Sequence, residues 1–331
     1  MTPDPENGSP APSHTAEGRD AVERPPAHGE PARPLPAASA VLAGVASAAL
    51  GLAPWLVTGM TLPLQNIWET DTLPEEMPLA LLPLSQYYLV ASVAMVVMGS
   101  AFAGALARLA ASIGRPVRLW LVGAGAAAVQ VVALVQTAAV LQGGLEDSTR
   151  ALVYLLGMIA GVSVGIVVGL LVMTGLARAG TAGTTVAITF AALALAQWLP
   201  TLIQPIGAMP SYDTPQLVYD TVRWLPVLIV AVAVGWCGVM TVRRALASVV
   251  SLLALWIVPA VVVAFTYAVG SRIYLQDPSE LIPAGTHVFR SALTSAGTPQ
   301  HMLVAVVVAI MVGIVLVAAR SMRDTPAPGA D

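Results

Sequence analysis

Eight stretches of the chain stay predominantly apolar for about 20 residues, the length a helix rising roughly 1.5 Å per residue needs to cross a hydrocarbon layer. They cover 38–60, 85–107, 119–141, 151–176, 184–204, 224–241, 249–269 and 303–319. None shows the two-residue alternation of a half-buried strand. The pattern predicts an all-α, polytopic integral membrane protein with eight transmembrane helices.

Connections between these runs alternate in character. Those after the second, fourth and sixth runs are short, and the last of them is expected to turn at Arg243 and Arg244. Those near 61–84, 205–223 and 270–302 are longer, and their Pro-Glu, Ser-Tyr-Asp-Thr-Pro and Asp-Pro-Ser-Glu stretches read as loops. The short loops hold Arg108, Arg115, Arg118, Arg178, Arg243 and Arg244 with no carboxylate, whereas the opposite connections hold Glu69, Asp71, Glu75, Glu76, Glu146, Asp147, Asp213, Asp220, Asp277 and Glu280 against only Arg150, Arg223, Arg272 and Arg290. Because cytoplasmic loops are enriched in basic residues, this asymmetry predicts a cell-membrane protein with both termini in the cytoplasm.

Composition agrees with lipid as the solvent. Hydrophobic residues make up 57% of the chain and charged ones 10%, against about 25% charge in a soluble domain. The mean hydropathy is +0.79. Segment 1–36 departs from the rest: rich in Pro, Ala, Gly and Glu, it has too few apolar side chains to offset the entropy of ordering. It is expected to be a disordered cytoplasmic tail, 37–320 the transmembrane domain, and 321–331 a second short tail. Acidic residues scattered through the first segment make it a poor signal peptide.

Two internal patterns stand out. Residues 48–56 read AALGLAPWL and 191–199 read AALALAQWL, so that Trp55 falls opposite Trp198. The echo fits two parallel four-helix repeats, an arrangement used by transporters, and also fits chance between Ala/Leu-rich helices. The fourth run carries Gly157, Gly161, Gly165 and Gly169, a stripe spaced for close helix packing or self-association. Pro54, Pro200, Pro226 and Pro259 are expected to bend or interrupt their helices.

Candidate chemistry is sparse. No Asp, Glu, Arg or His lies deep inside any predicted span, which argues against proton-coupled pumping. Gln197 and Gln204, seven apart, would share one side of the fifth helix and offer a polar ligand site, while Gln130 and Gln136 would point in different directions. Glu69, Asp71, Glu75 and Glu76 form an acidic cluster outside the first pair of helices, able to attract a cation or simply to keep a loop solvated. His287 and His301 fall in the last long loop, with Asp277 and Glu280 nearby in sequence. Cys237, the one cysteine, reads as a buried small hydrophobe. Walker, dinucleotide, HExxH, CxxC and nucleophile-elbow motifs are absent, so neither a cofactor nor a metal is implied, and nothing calls for nucleic acid.

The expected partner is the lipid bilayer, joined by another membrane protein or a second copy meeting the glycine stripe. The leading expectation is a non-enzymatic membrane subunit or accessory protein. Its alternatives are a permease or lipid facilitator for an uncharged substrate, and a membrane enzyme acting on a lipid-linked substrate at the extracytoplasmic face.

Overall fold

The computed structural model describes residues 35–204, 206, 216–270, 278–295 and 297–323. Most of the predicted tail at 1–36, and of that at 321–331, lies outside them. Among the described residues the fold is all helix, with two isolated β-bridges and no strand. The helices are α1 Ala37–Leu56, α2 Leu89–Ser112, α3 Leu119–Gly144, α4 Thr149–Arg178, α5 Thr181–Ile203, α6 Gln216–Cys237 and α7 Val242–Gly270, followed by α8 Pro278–Thr294 and α9 Gly297–Arg323. Eight of them, all but α8, are long and apolar enough to cross a membrane. We call the end holding the 57–88 connection the acidic end and the opposite one the arginine end.

Helix pairing follows one order twice. In the first half α1 packs on α2 and α3, α2 on α4, and α3 on α4; in the second, α5 packs on α6 and α7, α6 on α9, and α7 on α9. The halves meet where α5 lies against α2 and α4. Burial is uneven: 67% of the most apolar window of α2 is buried, against 28% for α7 and 11% for α9. Trp55 and Trp198, paired by the sequence echo, have different partners. Trp55 Nε1 donates to Ala80 O at 2.8 Å within the first half, and Trp198 Nε1 donates to Gly51 O at 2.7 Å across the halves.

Lipid offers little drive to bring helices together, so packing depends on close backbone approach. A Cβ on Gly51 would stand 2.5 Å from the Cα of Gly99 in α2. On Gly44 it would run into the carbonyl of Val122, and on Gly125 into that of Val41, so α1 is clamped on both sides. The predicted stripe on α4 is a looser seam: Gly161 and Gly165 sit beneath Leu89 and Val93 of α2, Gly169 beside Ser100, and Gly157 faces open space.

Several boundaries differ from expectation. The first helix stops at Leu56 rather than 60, because Gly59 and Met60 take positive φ of 91° and 59° and turn the chain. Arg243 and Arg244 belong to the first turn of α7; the turn itself is made by Gly238, at φ +66°, and Thr241, whose carbonyl accepts from Ala245 N. All four predicted prolines are carried inside continuous helices. Part of the predicted loop 270–302 is the helix α8, and α6 begins eight residues before 224.

The connection 57–88 is also not a solvated loop. Leu62, Met77, Ala80, Leu82 and Leu84 are buried in one core with Trp55, Leu141 and Leu155. Its non-helical backbone leaves amides and carbonyls that the helix ends must satisfy. Gln136 of α3 accepts from Leu81 N at 2.8 Å and donates to Leu79 O at 3.0 Å, while Thr137 accepts from Leu82 N at 2.9 Å. Gln65 donates to Leu84 O at 3.0 Å and accepts from the Tyr154 hydroxyl at 2.6 Å, and that hydroxyl accepts from Gln86 N at 3.1 Å. This cap seals the acidic end of the first half.

Candidate functional site

In the second half the short helix α8 ends at Thr294 and the spanning helix α9 starts at Gly297. Pro299 stands in the first turn of α9, where its missing N–H would have had no partner within the helix. α8 runs beside α7. A Cβ on Gly285 would lie 3.6 Å from that of Ala268, and Trp256 Nε1 donates to Leu293 O at 3.3 Å. Ala268 and Trp256 are twelve residues apart, roughly 18 Å of helix, so α8 descends from the acidic end to the middle of α7.

A half-length helix leaves space beside it. A cavity of about 670 Å³ opens between α6, α7, α8 and the start of α9. Leu255, Trp256, Pro259, Ala260, Val263 and Tyr267 give it one long apolar and aromatic wall along α7. The lining from α6, α8 and α9 is mixed: Arg223, His287, Ser291, Ser295 and His301 together with Val288, Ala292 and Met302.

Arg223 and His301 are the charged and titratable groups that the predicted spans did not contain. Arg223 lies seven residues inside α6 and His301 inside α9, both within the segments long and apolar enough to span. Arg223 Nε donates to His301 Nε2 at 3.1 Å. An imidazole nitrogen that accepts carries no proton, so this geometry holds the ring neutral with its proton on Nδ1. Trp224 meets the same ring edge to face, centroids 4.6 Å apart. Among the described residues, the guanidinium's partner is therefore a neutral ring rather than a carboxylate. The only ion pair among the described residues is Arg150 with Glu146 at 3.4 Å, in the other half.

Compared with protein-family models, with curated proteins and with solved structures, the chain matches none. The site has to be read from its own residues.

The predicted site residues fall elsewhere. Gln197 is half-buried on α5, and Gln204 lies beyond the helix in an extended conformation, as expected of a residue before proline, so the two do not share a helical side. Neither lines a described cavity. Of the acidic cluster, Glu75 and Glu76 stand exposed on a one-turn 3-10 helix, Asp71 is exposed nearby, and Glu69 parts from them to line a second cavity of about 520 Å³ with Glu146 and Asp147. Glu146 is already engaged there by Ser148 Oγ at 2.9 Å and by Arg150. Gln130 and Gln136 do diverge, Gln130 donating to Val96 O at 2.9 Å and Gln136 serving the cap. His287 and His301, fourteen apart in sequence and on different helices, both line the cavity. Asp277 lies outside the described residues, and among those described no three His, Cys, Asp or Glu gather as a metal site.

Proposed function

We propose that the protein is a non-enzymatic lipid facilitator that takes an amphiphilic ligand out of the bilayer into the lateral cavity of its second half. In this reading the acidic end is extracytoplasmic and both termini are cytoplasmic, as the arginine distribution favours. The observation that carries it is the cavity itself, with an aliphatic and aromatic wall along α7 and polar groups among the residues of α6, α8 and α9, bounded by the short helix α8. The repeated pairing order of the two halves supports reading the 48–56 and 191–199 echo as a parallel duplication, a trait of transporters.

Accessory-subunit function is the second reading, favoured by α9, whose spanning window is 11% buried and therefore offers a broad apolar face. The glycine stripe no longer argues for it, because Gly161, Gly165 and Gly169 face α2 of the same chain.

Photo-cross-linking in proteoliposomes separates the two. With a phospholipid bearing a diazirine in its acyl chain, cross-links should concentrate on 255–267 and 287–295 and fall sharply in Ala260→Trp, which fills the cavity. Labelling spread evenly over all lipid-facing helices and indifferent to that substitution would contradict the facilitator reading.

A further inference from the structure

Resting on that cavity reading, we infer that its ligand carries an anionic, phosphate-type head and that Arg223 selects it. The argument starts from cost. A guanidinium within a membrane-spanning segment is expensive and is retained where it meets a counter-charge or a task. Among the described residues Arg223 meets no carboxylate: its partner is a neutral imidazole, and no Asp or Glu is among the described residues that line the cavity. Asp220, one turn nearer the acidic end of α6, and Arg290 on α8 do not line it either. Arg223 is exposed and lines the cavity, so an anionic head entering there would meet a guanidinium whose described partner carries no charge.

Geometry narrows the head group. A guanidinium presents five N–H donors in a rigid fork that matches two oxygens of a phosphate, and His301 occupies the Nε donor. Held by Trp224, the imidazole orients the guanidinium without neutralising it. Since His301 acts through Arg223, it is a positioning residue. The α7 wall of Leu255, Pro259 and Val263 beside Trp256 suits an acyl chain, which favours a lipid phosphate over free phosphate. Such a ligand differs from the uncharged substrate expected from the sequence, because that expectation rested on spans without charge.

The test is native mass spectrometry of the full-length protein in detergent, titrated with dioleoyl phosphatidylglycerol or with dioleoylglycerol bearing an uncharged galactosyl head. Wild type should retain the phosphatidylglycerol about tenfold better, the equivalent of about 1.4 kcal/mol. Arg223→Gln should bring the two lipids within about twofold, and Arg223→Lys, which keeps the charge but loses the fork, should fall between. Ala260→Trp should abolish retention of both. Equal retention of the two lipids by wild type, with Ala260→Trp still blocking both, overturns the head-group assignment and leaves the cavity reading intact. Retention unaffected by Ala260→Trp overturns the cavity reading itself. Displacement of phosphatidylglycerol by millimolar inorganic phosphate would make a soluble anion the ligand and overturn the lipid assignment.

Discussion

The two halves of this protein pair their helices in the same order and, among the described residues, differ in what their polar side chains meet. In the first, the connection after α1 folds back as a cap whose exposed-looking backbone is met by Gln65, Gln136, Thr137 and Tyr154. In the second, a half-length helix descends beside α7 and leaves a cavity, and the polar groups there, Arg223 and His301, satisfy each other rather than the backbone. Polar residues in membrane helices thus serve two purposes distinguishable by their partners. Those that complete orphaned main-chain groups hold the fold, whereas those facing an open space without a compensating charge are available to a ligand.

Substitutions should separate the halves in a fixed order. Gly51→Leu, which forces side-chain atoms into the backbone of α2, should destabilise by about 3 kcal/mol or more, and be seen as loss of the monodisperse peak in detergent and a large fall in Tm. Gln136→Leu leaves Leu81 N and Leu79 O unsatisfied at the base of the cap and should cost about 2 kcal/mol by thermal melting. A fall of under about 0.5 kcal/mol there would show that the cap does not depend on its amide. Gly157→Leu, in the same stripe as Gly161 but facing open space, should change stability by less than about 0.5 kcal/mol. A large effect at Gly157 would mean that a partner covers that face.

How much of this was readable in advance follows from what hydropathy measures. Eight crossings were legible because an unbroken apolar run of 20 residues has few other uses in a protein. The cap was not, since Leu62, Leu82 and Leu84 are separated by prolines and look like loop residues until Gln136 and Thr137 are seen to bind their backbone. Nor was α8: it is amphipathic rather than uniformly apolar, although Leu281, Val288 and Ala292 fall at helical spacing and signalled it. Arg223 was assigned to a loop because the span was started at Trp224, whereas α6 begins at Gln216. Its neighbour His301 came from 78 positions away, a proximity that no local pattern encodes.

The contrast between the buried core of the first half and the cavity of the second can be measured directly by thiol labelling. In a Cys237→Ala background, Ser291→Cys places a thiol on the cavity wall and Val96→Cys places one in the buried core of the first half. The account predicts rapid reaction of the first with a small water-soluble maleimide, slowed by Ala260→Trp, and no reaction of the second in the folded protein. An inert Ser291→Cys, or equal labelling at both positions, would contradict it.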